Sequence, residues 1–273
     1  MTDTSPPRDW SHIYWPDVSA ASPANWIAVL PLAATEQHGP NLPLGTDTMI
    51  AQAYLARVRE TLAREIPATF LPLQEVGLST EHIAYPGTLT LPYHVAIRHW
   101  LSFGESVARA GVRKLVMVTS HGGNSDAMSL VAQELRCRNN MLVVTTGWSR
   151  LSAAEGLFPD SELRHGIHGG AVETSIMLAA HPHSVRSDKI ANFEPASVAI
   201  EKEFNWLSTR RPAPFAWAAQ DLHASGAAGD ATLASAEKGS QLIDNGAKAF
   251  CELLADVHAF DPARLDNKPS LPK

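Results

Sequence analysis

The 273-residue sequence predicts an α/β fold, a three-layer αβα domain built on a mainly parallel sheet. Two observations carry this expectation. Short apolar runs alternate with longer stretches whose apolar residues recur at helical spacing, and polar loops rich in Gly and Pro follow where the runs end. That order places successive strands parallel, with helices on both faces of the sheet. No linker rich in Gly, Ser or Pro separates two cores, so a single domain over residues 1–273 is expected, with frayed tails at 1–10 and 262–273.

The elements follow in order. Ile13 to Val18 is a short amphipathic approach segment, and Trp26 to Leu32 is an apolar run that reads as a buried strand. It leads into a segment with Pro31, Gly39, Pro40, Pro43 and Gly45, which can continue neither as strand nor as helix. Residues 48–64 place Ile50, Ala51, Tyr54, Leu55 and Val58 at helical spacing, and 69–73 reads as a second strand, completing a βαβ unit. The Pro86-Gly87 pair marks 77–88 as a loop before a helix from Pro92 to Ala110, which Gly111 stops. Lys114 to Val118 is an apolar strand, broken by Ser120-His121-Gly122-Gly123-Asn124 and continued as a helix from Ser125 to Arg138. Met141 to Thr146 is the next strand, Ala171 to Ala180 a helix and Ala231 to Leu254 a terminal helix. Between the last two, residues 195–222 carry Phe204, Trp206, Pro212, Pro214, Phe215 and Trp217, an excursion that suits a lid, a subunit contact or a packed loop.

Composition excludes several classes. With 45% hydrophobic and 18% charged residues the chain is too apolar for disorder. A net charge of −6 and the lack of a Lys/Arg stripe argue against nucleic acid as a partner. The polar start from Met1 to Arg8 does not look like a signal peptide, and no apolar stretch reaches about 20 residues, so no membrane association and a cytoplasmic location are expected. Cys137 and Cys251 are too few and too far apart for a metal knuckle and receive no role.

The chemistry gathers in the polar loops. Glu36, His38 and Asp47, just past the first strand, are groups able to bind zinc or manganese. They could equally be a loop charge, a hydrogen-bonded histidine and a helix N-cap. His-Gly-Gly-Asn at 121–124 could bind an anion on backbone N–H groups, or its glycines could let the backbone pass close to a site into which His121 points. Glu173, in the first turn of a helix, could simply stabilise the macrodipole, which would leave His168 unexplained. In a parallel sheet such loops converge beyond the carboxyl ends of the strands, so these groups, with Ser79 to His82, can share one pocket. His12, His82, His94, His99, His165, His181, His183, His223 and His258 form a background of surface and core histidines.

Four ordered motifs go further. Thr35-Glu36-Gln37-His38-Gly39-Pro40 with Leu42-Pro43-Leu44-Gly45-Thr46-Asp47, Ser79-Thr80-Glu81-His82 with Pro86-Gly87-Thr88, His121-Gly122-Gly123-Asn124, and His168-Gly169-Gly170-Ala171-Val172-Glu173-Thr174-Ser175 together resemble the creatininase (creatinine amidohydrolase) family. A later stretch with Gly229-Asp230 and Ala236-Glu237-Lys238-Gly239 extends the resemblance over most of residues 13–250. It implies a single α/β domain commonly assembled as a homohexamer. It also implies two divalent ions, Zn2+ and/or Mn2+, held by Glu36, His38, Asp47, His121 and Glu173, with Asp47 bridging. His168 is then similar to the family's catalytic histidine, and Ser79 lines the substrate pocket.

The implied activity is hydrolysis of a small cyclic or linear amide C–N bond by a metal-bound hydroxide. His168 would give a proton to the departing nitrogen. Two departures separate the chain from creatininase itself. Gly123 stands where that enzyme carries a glutamate, and Arg164 stands where it carries a tryptophan that closes over creatinine. Arg164 suits either a carboxylate or phosphate on another substrate or a surface salt bridge. Formamide deformylation, peptide processing and hydrolysis of a cyclic ketone or lactone are the alternative activities.

Overall fold

The computed structural model describes residues 5–21, 23–210 and 212–265. In chain order these form α1 (Trp15–Ala20), β1 (Ile27–Leu32), α2 (Thr46–Thr61), β2 (Ala68–Phe70), α3 (Tyr93–Arg109), β3 (Lys114–Thr119), α4 (Ser125–Asn139) and β4 (Leu142–Gly147). They continue as α5 (Trp148–Leu151), α6 (Asp160–His165), α7 (Ala171–Ala180), β5 (Asn192–Phe193), α8 (Ser197–Glu203), β6 (Leu207–Ser208), β7 (Ala213–Pro214), α9 (Ala219–Leu222), β8 (Gly229–Asp230) and α10 (Ala236–Ala259).

The central sheet has the order β2-β1-β3-β4 with every pairing parallel. All residues of β1 and β3 are buried, as expected of strands covered on both faces. Their alternation sorts two cores. Ile27, Val29, Val116 and Val118 face one, with Tyr54 and Val58 of α2, Ile176 and Met177 of α7, and Leu242, Phe250 and Leu254 of α10. Ala28, Leu30, Leu115 and Met117 face the other, with Trp100 and Val107 of α3 and Val131 and Leu135 of α4. The three expected layers follow directly from this period of two.

Boundaries shift where local chemistry overrides apolar spacing. The terminal helix starts later than expected, because Ala231–Leu233 form a separate 3-10 turn and the Ser235 side chain accepts the Lys238 N–H as N-cap. It also runs beyond residue 254, since Val257 is still buried. The Lys114 ammonium, at the start of β3, donates to the Val257 and His258 carbonyls at 2.8 Å each and so closes its C-terminus. The approach segment runs into α1, which continues to Ala20, with Tyr14 and Trp15 exposed. Within residues 195–222, Phe204 and Trp206 are exposed, while the Trp217 indole donates to the Thr209 carbonyl.

The expected tails divide. Residues 1–4 and 266–273 lie outside the described residues. Arg8 donates to the Ile66 and Ala63 carbonyls, its own carbonyl accepts the Phe70 N–H, and so this stretch is fastened beside β2. Pro262–Leu265 form a 3-10 turn whose last carbonyl accepts from Arg136. Among the described residues no helix is long and apolar enough to cross a membrane.

Helix α10 crosses α7 at backbone contact, because a Cβ at Gly239 would collide with the Ser175 carbonyl. Helix propensity alone favours Gly→Ala by about 1 kcal/mol. Here steric overlap dominates, so Gly239→Ala is expected to destabilise the protein by about 1–3 kcal/mol. Urea denaturation of the two proteins measures this, and a more stable variant would contradict the close crossing.

Candidate metal centre

The register that pairs Leu32 with Thr119 makes the loops after β1 and β3 leave the sheet at one edge. Glu36 and His38 lie in the first loop, which closes on itself when the Glu36 N–H donates to the Leu44 carbonyl. His121 lies in the second. Asn124 joins these loops to a third, since its amide donates to the Ala33 carbonyl and accepts the Leu78 N–H. Asp47 arrives on the first turn of α2. Glu173 arrives on the first turn of α7, whose leading N–H, at Ala171, is held by the buried Glu162 carboxylate. Glu162 also accepts the Asp230 N–H, so it fixes α7 against β8.

Glu36, His38, Asp47, His121 and His168 are all buried, and the Glu173 side chain is 22% exposed. His121 Nδ1 lies 3.1 Å from Glu36 Oε1 and 3.5 Å from Asp47 Oδ2. His38 Nε2 lies 3.9 Å from Asp47 Oδ1 and 4.0 Å from both Glu36 Oε1 and Glu173 Oε2. Donor atoms of Glu36, Asp47 and His121 fall within 4.8 Å of one another, as do those of His38, Asp47 and Glu173. Asp47 belongs to both groups. A further group of this kind joins Glu36, His38 and His168.

Hydrogen bonds on the far side of the rings determine what faces inward. His38 donates from Nδ1 to the Glu36 carbonyl at 3.0 Å, and His121 donates from Nε2 to the Leu78 carbonyl at 2.6 Å. Each therefore turns its other nitrogen toward the carboxylates, the arrangement in which an outer partner sets the tautomer of a ligating histidine. His168 does the same, donating from Nε2 to the Gln37 carbonyl at 2.5 Å, with Nδ1 3.6 Å from Glu36 Oε1.

The charges conflict unless something positive stands among them. Two like charges about 5 Å apart repel by about 3 kcal/mol at an effective dielectric near 20. Burial, and then the charge of Glu36, push the Asp47 carboxyl well above the usual carboxylate range. Burial also raises Glu173, against the pull of His168. For Glu36 burial acts upward but is outweighed by His121, His168 and His38, which hold it low. His121 is pushed up to about 10, because Glu36, Asp47 and Glu81 outweigh its burial. Burial, reinforced by His168, keeps His38 well below the usual imidazole range.

The donors fit divalent cations. Glu36 Oε1 and Oε2, His38 Nε2 and Asp47 Oδ2 are buried without a hydrogen-bond partner, which is costly for polar atoms. Asp47 is not spent on capping, since the N-cap of α2 is Gly45 and makes no side-chain bond. Mixed imidazole and carboxylate donors suit zinc or manganese.

The other expected residues fall around this cluster. Ser79 is fully buried and its hydroxyl has no hydrogen-bond partner. Arg164 is turned to the surface, its side chain 69% exposed and its Nε 2.7 Å from Glu201, which is the ion-pair alternative. A Cβ at Gly123 would collide with His121 Nε2 and come 2.6 Å from Glu81 Oε1. No larger residue fits there with Glu81 in place. Sequence reasoning left His82 among the background histidines. It is buried, and its Nε2 lies 3.4 Å from Glu36 Oε1. Its place in the Ser79-Thr80-Glu81-His82 motif was the available signal. Gln37 and Glu162 were also missed.

The chain matches the creatininase family model, creatinine amidohydrolase, over residues 11–254. It is 31% identical over 223 residues to a mycofactocin precursor peptide peptidase of Mycobacterium tuberculosis, covering 79% of each chain. It is 28% identical over 234 residues to a creatinine amidohydrolase of Pseudomonas putida, covering 80% of this chain and 84% of that one. The solved structure of a manganese creatininase superposes with a TM-score of 0.72 at 23% identity, over 92% of this chain and 98% of the other. A family match spanning nearly all of the described residues, joined by a relative above 30% identity, means that the chain belongs to the creatininase family.

Proposed function

We propose that the chain is a metal-dependent amidohydrolase that cleaves a C–N bond of a small cyclic or linear amide other than creatinine. The observation that supports this most directly is the pair of donor groups sharing Asp47, with unpaired buried atoms aimed between them. Glu36, Asp47 and His121 would hold one cation, and His38, Asp47 and Glu173 the other. Two such ions, zinc or manganese, supply Lewis acidity that polarises a carbonyl and lowers the pKa of water.

The chain's own residues account for the remaining chemistry. His168 has Nε2 committed to the Gln37 carbonyl, so it exchanges protons only through Nδ1, on the side of the cluster. An amide nitrogen leaves only when protonated, and a histidine that takes a proton and returns it to that nitrogen meets the requirement. The unpartnered Ser79 hydroxyl is free to bind a substrate carbonyl or amide. The chain is further read as a single-domain cytoplasmic homo-oligomer, a hexamer by family resemblance.

A second reading is peptide processing. It is favoured by the higher identity to the mycofactocin precursor peptide peptidase than to the creatinine amidohydrolase. Turnover of a panel containing creatinine, small cyclic amides, N-formyl amines, short peptides and a lactone separates these readings. Creatinine as the best substrate would refute both the main reading and the second one.

Protein purified from zinc or manganese medium is expected to contain close to two ions per chain by elemental analysis. Less than half an ion per chain, with no activation on adding metal, would remove the basis of the proposal. Chelation is expected to lower stability as well, since a ligand at 100 times its Kd contributes about 2.7 kcal/mol. For a chain of this size that corresponds to a fall in Tm of roughly 5–10 °C. An unchanged melting curve after complete metal removal would contradict this expectation.

His168 and Glu173 separate chemistry from ligation. His168→Ala is expected to keep full metal content and lose on the order of 100-fold or more in turnover. Glu173→Ala is expected to lose metal from one site. An activated ester or anilide should partly rescue the first variant and not the second, because it demands less protonation of the leaving group. Equal metal loss in both variants would move His168 into the ligand shell.

A further inference from the structure

Four imidazoles surround the carboxylates, and the bonds on their outer nitrogens divide them. His38, His121 and His168 each donate outward to a backbone carbonyl, so each turns its other nitrogen inward. His82 differs. Its Nδ1 lies 2.6 Å from the Gln37 amide nitrogen. That amide has a single orientation, because Oε1 accepts the Gly39 N–H at 2.9 Å and Nε2 donates to the Gly226 carbonyl at 3.0 Å. Neither backbone group can exchange its role. The second amide hydrogen goes to His82 Nδ1, which is the acceptor. The ring proton then sits on Nε2, facing Glu36 Oε1 at 3.4 Å. At that distance the N–H acts on the carboxylate electrostatically, without forming a full hydrogen bond.

We propose that Gln37 and His82 form a tautomer latch, in which Gln37 holds His82 in its Nε2–H form so that a proton, and not a lone pair, faces Glu36. His82 is thereby a positioning residue, excluded from the metal-ligand set, that orients Glu36 toward its cation. This last role rests on the metal-dependent reading above. The placement of Gln37 favours the latch. It stands between Glu36 and His38 in the chain, its backbone carbonyl fixes His168 and its side chain fixes His82. One residue so fixes two rings whose centroids lie 4.3 Å apart, each with its proton on Nε2, facing away from the carboxylates in His168 and toward Glu36 in His82. Gly226 completes the device, since its backbone has φ +86° and any Cβ there would collide with the Gln37 amide.

The test uses protein labelled with 15N-histidine, zinc-loaded and metal-free, with tautomers read from long-range 1H–15N correlations. His82 is expected to carry its proton on Nε2 in both forms, and Gln37→Glu, whose carboxylate can only accept, is expected to move it to Nδ1. His82→Phe, which fills the space without either nitrogen, should retain two zinc ions per chain and bind them roughly ten-fold more weakly by calorimetry. A proton on Nδ1 in the unaltered protein, an unmoved proton in Gln37→Glu, or a zinc content of one in His82→Phe would each overturn the latch, as would unchanged zinc affinity in that variant. If His82→Phe does not fold, the tautomers in the unaltered protein and in Gln37→Glu decide. If the unaltered protein takes up no zinc, the metal reading fails, while the metal-free tautomer still decides the latch.

Discussion

Confining Glu36, Asp47 and Glu173 to one largely dry cluster is the constraint on which this architecture depends. Carboxylates so close must be protonated, neutralised or driven apart, and the surrounding chain prevents the last of these. Asn124 draws three loops together behind them, Glu162 fixes the helix that carries Glu173, and backbone carbonyls aim the rings of His38, His121 and His168. The result is an arrangement that is electrostatically unfavourable by itself and favourable around cations. Such preorganisation is what a catalytic metal site requires of its scaffold.

The sheet is the other half of that scaffold. Parallel strands buried on both faces give β1 and β3 little freedom, and their register sets the height at which the loops emerge. Helix α10 adds rigidity from below, crossing α7 at backbone contact while Lys114 ties its end to the first residue of β3. Glu173 and His121 therefore sit on elements braced by the same long helix.

Much of this was legible in the sequence, because strands and ligands both carry local signatures. The apolar runs at β1, β3 and β4 stood out, and the ordered motifs around Glu36, His121 and Glu173 identified the cluster. What stayed hidden depends on partners distant in the chain. Gln37 meets Gly226, Glu162 meets Asp230, and nothing near any of these residues announces the contact. His82 looked ordinary because its role comes from an amide brought in by another loop. Arg164 offered two readings of equal chemistry, and only Glu201 on the neighbouring helix distinguishes them. The terminal helix was misplaced at its start because a serine cap outweighed apolar spacing.

Glu162 bears on how the protein comes to fold. Its carboxylate bonds the N–H groups of Ala171 and Asp230, and Gly166, Gly170 and Gly229 crowd so near that a Cβ on any of them would meet it. The bond to Asp230 closes a loop of many residues, and contacts of that sequence separation form late, after the local strand and helix pairs are in place. The first βαβ unit can thus assemble with Glu36 and Asp47 on it while Glu173 is still unplaced. During synthesis the candidate site is completed only when the segment carrying Asp230 has emerged, so a partly made polypeptide has Glu36, His38, Asp47 and His121 but not yet a fixed Glu173.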